Sequence, residues 1–143
     1  MQNDPPVQVS SQPPAIAKSS TGLDENVAAL LSYVFTWVSG LIFFVMEKES
    51  RLVRFHAMQA ILLGATVTVI FIALWIVSFI LGIIVGQVSG LLGVLVSGIT
   101  FLLGLVFFIA AVIGWILCLI KAYGGQYFKL PVLGNFAEKF SQK

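Results

Sequence analysis

The stretch Glu47-Lys48-Glu49-Ser50-Arg51-Leu52-Val53-Arg54-Phe55-His56-Ala57-Met58-Gln59 decides what kind of protein this chain is. It carries five formal charges and the one histidine, and it lies between two long apolar runs. After Arg54 the next charged side chain is Lys121. One charged side chain at mid-bilayer costs about 2.5–3.5 kcal/mol on insertion scales, so five would cost of order 12–17 kcal/mol. The stretch is therefore expected in water or among lipid headgroups, and the neutral sequence around it in the bilayer.

The composition is that of an integral membrane protein. Hydrophobic residues make up 59% of the chain and charged residues only 10%, with a mean hydropathy of +1.02. Soluble domains carry about 25% charged residues. The net charge of +2 gives no reason to expect a nucleic-acid partner. The single Cys118 excludes an intramolecular disulfide.

Span length predicts an all-α, polytopic fold with three transmembrane helices, at about residues 26–46, 54–85 and 91–120. A hydrocarbon core of about 30 Å needs about 20 helical residues, and each of these segments supplies them. The second and third spans are divided at Gly86-Gln87-Val88-Ser89-Gly90, the most polar five residues of the neutral run. An alternative with four spans adds a short helix near residues 86–98.

The ends of the chain differ in character from its middle. Residues 1–22 hold four of the five prolines among Ser and Gln, which predicts a disordered tail. Residues 23–143 form the predicted membrane domain, and residues 121–143 its interfacial tail. Within that tail Leu133, Phe136 and Phe140 recur at helical spacing, which predicts a short amphipathic helix on the membrane surface.

The distribution of cations predicts the orientation. With three spans, the charged loop and the C-terminus share one side, which then carries seven cations against Lys18 alone on the other. The positive-inside rule makes that side cytoplasmic, so the N-terminus is predicted outside and the C-terminus inside. The first apolar run is a full span long and lacks a basic start, so it is expected to remain as an anchor rather than be cleaved.

Two sets of residues are candidates for contacts. Small residues allow close helix packing within the chain or between copies; they are Ala57, Ala60, Gly64, Gly82, Gly86, Gly90, Gly93, Gly104 and Gly114. The second set surrounds the charged stretch and consists of Arg51, Arg54, His56 and Gln59. One interpretation is that this set anchors the loop to anionic headgroups, at about 1 kcal/mol per basic residue.

The other interpretation is a docking surface, which the charged set builds with Tyr127, Lys129 and Pro131 of the C-terminal segment. Arg54 would then donate to carbonyls at the end of a neighbouring helix, and His56 would fix the packing. A proton-sensing role for His56 is a further alternative.

Two motifs resemble a known family. They are Glu47–Ser50 with Val53–Gln59, and Lys121-Ala122-Tyr123 followed by residues 127–135, YFKLPVLGN. Together they resemble a family of small bacterial membrane proteins, once catalogued as a domain of unknown function. That family is related to the twenty-kilodalton subunit of the chloroplast Tic import translocon. The resemblance covers about residues 26–139 and implies a protein of the bacterial cytoplasmic (inner) membrane whose plastid relatives, described with four helices, help pass preproteins across a bilayer.

The sequence offers no catalytic constellation, so the chain is not expected to be an enzyme. No acidic residue lies within the predicted spans, and a lone His56 cannot supply the three or four ligands of a metal site. No cofactor is expected. One hypothesis is a helper or scaffold that binds the lipid bilayer, oligomerises or binds other membrane proteins, and takes part in translocation. The alternative is a small channel or carrier for uncharged solutes.

Overall fold

The computed structural model describes residues 17–141. It contains five helices: α1 (Glu25–Leu31), α2 (Trp37–Met46), α3 (Arg51–Val88), α4 (Gly90–Tyr123) and α5 (Leu133–Ser141). The described part of the chain has no strand beyond an isolated bridge between Lys18 and Asp24. The predicted all-α fold is therefore confirmed. Residues 1–16 of the predicted tail lie outside the described residues, and residues 17–22 form a turn.

The first apolar segment is broken, so the prediction of one continuous helix over residues 26–46 is wrong. Helix α1 ends at Leu31, and Thr36 takes a left-handed backbone angle, φ of 50°, just before α2 begins. The Ser39 hydroxyl stabilises the turn from within. It accepts from the Phe35 amide at 3.0 Å and donates to the Ser32 carbonyl at 2.9 Å. Side-chain bonds of this kind compete with the helical ladder for the backbone.

After the break, α2 returns along α3 in the opposite direction. A Cβ atom on Gly40 would lie 2.8 Å from the Ala57 carbonyl oxygen, and one on Gly64 would lie 2.9 Å from the Trp37 amide nitrogen. These two close approaches fix the helices side by side. At 1.5 Å per residue, α1 is about 10 Å long and α2 about 15 Å, so α1 is about one third and α2 about half as long as a hydrocarbon core of about 30 Å is thick.

Helices α3 and α4 form a long apolar hairpin. Both are long and apolar enough to cross a membrane. Their lengths of 38 and 34 residues correspond to about 57 and 51 Å, so in a single bilayer they tilt or extend beyond a hydrocarbon core of about 30 Å. The turn between them lies at Ser89, within the predicted break at residues 86–90. The short extra helix of the four-span alternative is wrong, because residues 86–98 are divided between the end of α3 and the start of α4.

The molecule is wide at one end and narrow at the other. The wide end contains α1, α2, α5, the first turns of α3 and the last turns of α4, and the buried apolar residues cluster there. They include Ala28, Tyr33, Val53, Cys118 and Ala122. Within residues 17–141, the narrow end consists only of α3 and α4, whose large apolar side chains are exposed on the outside of the hairpin. Such surfaces suit lipid rather than water.

Candidate functional site

A buried carboxylate joins the two ends of the broken first segment. Glu47, which follows α2, is fully buried, and its carboxylate accepts hydrogen bonds from Ser20, which precedes α1. The Ser20 amide donates at 3.1 and 3.0 Å to the two carboxylate oxygens, and the Ser20 hydroxyl donates at 2.7 Å. The Glu49 and Ser50 amides also donate to it, at 3.0 and 2.8 Å. The first apolar segment thus enters and leaves at the same end of the molecule.

These donors determine the charge state of Glu47. Burial alone opposes ionisation of the carboxyl, but the hydrogen bonds from Ser50, Ser20 and Glu49 outweigh it and lower the pKa of Glu47 below its usual value. Hydrogen bonds to an ionised acceptor are about twice as strong as neutral ones. The carboxylate is therefore ionised at neutral pH and stabilises the entry to α3, where the Ser50 hydroxyl accepts from the Val53 amide at 3.2 Å.

His56 links the turn after α1 to the segment that follows α4. Its Nε2 lies 3.0 Å from the Gln126 carbonyl oxygen, and its Nδ1 lies 3.1 Å from the Tyr33 hydroxyl. A carbonyl can only accept, so the hydrogen is assigned to Nε2, and the Tyr33 hydroxyl donates to Nδ1. Both ring nitrogens of the neutral imidazole are then satisfied in a fully buried position. This arrangement suits a structural link.

Gln59 makes a parallel link one turn further along α3. Its amide nitrogen donates to the Phe128 carbonyl at 3.1 Å and to the Cys118 sulfur at 3.3 Å. Its carbonyl oxygen is buried and has no hydrogen-bond partner among the described residues. His56 and Gln59 thus satisfy two carbonyls of a non-helical segment that crosses the base of α3. Buried backbone groups without a partner are costly, so these two side chains stabilise the irregular segment.

The same non-helical segment is held from the other side by α1. Gly125 has a φ of 66°, and a Cβ atom there would lie 2.8 Å from the side-chain oxygen of Asn26. The Trp115 indole on α4 donates at 2.9 Å to the Tyr33 carbonyl, beyond the end of α1. The C-terminal segment is therefore fixed between α1 and α3.

The arginines of the charged stretch have different surroundings. Arg54 donates at 3.2 Å to the Glu47 carbonyl, which follows the last residue of α2, and its guanidinium lies 5.0 Å from the centre of the Phe44 ring. Arg51 is exposed and lines a cavity of about 250 Å³ together with Phe55, Tyr127, Glu138 and Ser141. Arg54 therefore belongs to the packing of the wide end, and Arg51 to its surface.

The remaining candidates of the C-terminal segment lie on the same surface. Lys129 forms a salt bridge of 2.7 Å with Glu138, with both side chains 43% exposed, so its contribution to stability is small. Pro131 lies in the turn that precedes α5. The Gly134 amide donates to the Leu130 carbonyl and closes this turn. Burial raises the pKa of Tyr127, and the Glu25 carboxylate acts in the same direction.

The predicted packing residues fall into two groups. Ala57, Ala60 and Gly64 are buried against α2. Gly93 packs closely on Gly86, because a Cβ atom on Gly93 would lie 3.1 Å from the Gly86 Cα atom. The other group packs loosely or not at all against the part of the chain that the structure describes. A Cβ atom on Gly82 or Gly114 would meet only ordinary contacts, and on Gly90 or Gly104 it would meet no atom within 4 Å.

The sequence prediction missed the residues that hold the wide end together: Ser20, Tyr33, Glu47, Trp115 and Cys118. The position of Glu47 in the charged stretch suggests a solvated side chain that supports Arg51 four residues later, but the side chain is fully buried and accepts hydrogen bonds from Ser20 and Ser50. The described residues contain no group of three or more His, Cys, Asp and Glu that could hold a metal ion.

Comparison with known proteins gives a family and several archaeal relatives. Residues 23–137 match the model of the magnetosome magnetite crystal formation protein family. A UPF0132 membrane protein of Methanocaldococcus jannaschii is 42% identical over 127 residues, which cover 89% of this chain and 97% of the relative. A UPF0132 membrane protein of Archaeoglobus fulgidus is 40% identical over 117 residues, or 82% and 95% of the two chains.

A second UPF0132 membrane protein of M. jannaschii is 36% identical over 121 residues, which cover 83% of this chain and 71% of the relative. No solved structure matches the chain significantly. The matches give no support to the predicted relation to the Tic subunit or to a bacterial origin.

Proposed function

Because the chain belongs to the magnetosome magnetite crystal formation protein family and resembles archaeal UPF0132 membrane proteins, we propose that it is a non-enzymatic membrane scaffold. It works from one face of a cytoplasmic membrane, where it binds other membrane proteins or further copies of itself. The observation that carries this proposal is the contact between Ser20 and Glu47. That contact brings both ends of the first apolar segment to the wide end of the molecule.

In the proposed topology only α3 and α4 cross the bilayer, and the α1–α2 pair enters and leaves on one side. The charged residues of the described chain all lie in or beside the wide end, including seven cations: Lys18, Lys48, Arg51, Arg54, Lys121, Lys129 and Lys139. By the positive-inside rule this end faces the cytoplasm, so the N- and C-terminal sides of the domain are both cytoplasmic. This topology replaces the predicted external N-terminus.

Two surfaces are available for partners in this arrangement. The cytoplasmic face presents Arg51 and Tyr127 beside α5, with hydrogen bonds that fix the backbone beneath them. The exposed side of α4 presents Gly98, and Gly104 lines the open cleft between α3 and α4; a Cβ atom on either would meet no described atom within 4 Å. Small residues on an open helix surface let a second helix approach closely, which supports self-association.

Site-specific photo-crosslinking in native membranes tests the proposal. A photoreactive side chain is placed at Tyr127 on the cytoplasmic face, at Phe101 between the open glycines of α4, or at Val69 on α3 as a control. We expect a protein adduct from Tyr127 and a homodimer from Phe101, with less from Val69. Lipid adducts alone from all three positions would contradict a scaffold role.

A channel or carrier for uncharged solutes is the second candidate. A cleft of about 490 Å³ lies between α3 and α4, and its lining includes the hydroxyls of Ser78 and Thr100, which are 3.0 Å apart. Two helices cannot enclose a pore, so this function requires several copies. A part in protein translocation, implied by the Tic resemblance, would use the same cytoplasmic face. Solute flux in reconstituted vesicles distinguishes the channel, since a scaffold produces none.

A further inference from the structure

The two halves of the molecule occupy very different cross-sections. Among the described residues, a plane parallel to the membrane cuts α1, α2, α3 and α4 near the wide end, and only α3 and α4 near the narrow end. The tip of the α1–α2 pair lies level with Gly64, which packs against Trp37. With a helix diameter of about 10–12 Å, the two extra helices add roughly 200 Å² to one leaflet. The opposite leaflet receives no matching addition.

Helix α5 adds to the same imbalance. The helix packs against α3, and its small residues Gly134, Ala137 and Ser141 are buried, while Phe136 and Phe140 are exposed by 51% and 47%. The two phenylalanines are four residues apart and therefore lie on one side of the helix. Because α5 lies beside the charged entry to α3, the topology proposed above places these rings at the headgroup boundary. An interfacial helix inserts its apolar face about 5–10 Å into that boundary, and only on its own side.

We propose that the chain prefers strongly curved bilayers, with its wide end in the convex leaflet. Convex curvature increases the area available to the outer leaflet relative to the inner one, and the wide end fills that area with α1, α2 and α5. At high surface density the same imbalance curves the membrane so that the wide end lies on its convex side. This inference rests on the one-sided topology proposed above, and it adds a physical activity that a scaffold of equal cross-section would lack.

Tubes pulled from giant vesicles test the preference. The full chain, as Lys139→Cys in a Cys118→Ser background, is reconstituted and labelled with a membrane-impermeant dye from outside, so that only molecules with an external wide end fluoresce. We expect their density on the tube to exceed that on the vesicle by roughly twofold or more, which is about 0.4 kcal/mol per molecule. Molecules labelled from the lumen have the opposite orientation and are expected to be depleted. Equal densities for both orientations would overturn the proposal.

Two variants show whether α5 contributes to the enrichment on the tube. Phe136→Asn with Phe140→Asn removes the insertion of α5 and leaves its buried face unchanged, so we expect a smaller enrichment. Phe79→Leu with Phe101→Leu changes exposed aromatic residues of the narrow end and is expected to keep it. Equal enrichment for the two variants would remove α5 from the explanation.

Dye accessibility of Lys18→Cys and Lys48→Cys in the same vesicles separates the two proposals. Accessibility from opposite sides would refute the one-sided topology and the curvature preference together. Accessibility from one side with no enrichment would refute the curvature preference alone.

Discussion

Replacing Glu47 should loosen the base of the α1–α2 pair. Its carboxylate accepts from the Ser20 amide, the Ser20 hydroxyl and the amides of Glu49 and Ser50. A hydrogen bond to a charged group contributes about 1.5–3 kcal/mol, but donors near the surface can turn to water when the acceptor is lost. We therefore expect Glu47→Ala to lower the free energy of unfolding by about 2–4 kcal/mol and Glu47→Gln by about half of that.

Unfolding by titration with a denaturing detergent measures this loss. Glu49→Gln is the matched control, because Glu49 is exposed and its side chain makes no hydrogen bond in the described structure. It also removes one negative charge from the same loop. If Glu47→Gln and Glu49→Gln lower the free energy of unfolding equally, then the buried carboxylate does not hold the two ends together, and the reasoning is refuted.

The pH dependence of the free energy of unfolding tests the Glu47 carboxylate independently. The pKa of Glu47 is lowered in the folded protein. Its stabilisation is therefore complete above the unfolded-state pKa of about 4.3 and is lost as the pH falls through the lower folded-state value. We expect acid to destabilise the wild type in this window more than it destabilises Glu47→Gln. Identical acid profiles would contradict the lowered pKa.

Two further predictions concern the packing around α3. Gly40→Ala and Gly64→Ala each place a Cβ atom against backbone, so each should lower the free energy of unfolding by about 1–3 kcal/mol. Gly98→Ala is the control, because its Cβ atom would meet no described atom within 4 Å and should have little effect. Thermal melting in detergent measures all three. Gln59→Leu should cost about 1–3 kcal/mol because it leaves the Phe128 carbonyl without its donor, and faster proteolysis after residue 124 would report the released segment. Equal melting of all three glycine variants, or unchanged proteolysis of Gln59→Leu, would contradict these assignments.

Charge and hydropathy predicted much of the fold. The gap between Arg54 and Lys121 is too long for one span, and the polar break at Ser89 lies where α3 gives way to α4. Of the predicted packing set, Ala57 and Gly64 are buried, whereas a Cβ atom on Gly90 or Gly104 would meet no other described element within 4 Å. These features follow from local composition, which the bilayer constrains strongly.

The return of the first segment could not be read from hydropathy. Residues 26–46 have the length and composition of a span, and only the spacing of Ser32, Thr36 and Ser39 signals that side chains can replace the helical ladder. The decisive contact joins Ser20 to Glu47, which are far apart in sequence. A buried carboxylate in a charged stretch has the same sequence signature as a solvated one, so its role emerged only from the tertiary structure.

The central claim is that the first apolar segment does not cross the membrane. Cysteine accessibility in intact membrane vesicles tests it directly, with single reporters at Lys18, Lys48, Ser89 and Lys139 in a Cys118→Ser background. The proposed topology predicts that Lys18→Cys, Lys48→Cys and Lys139→Cys react from the cytoplasmic side and Ser89→Cys from the other. Labelling of Lys18→Cys and Lys48→Cys from opposite sides would contradict it.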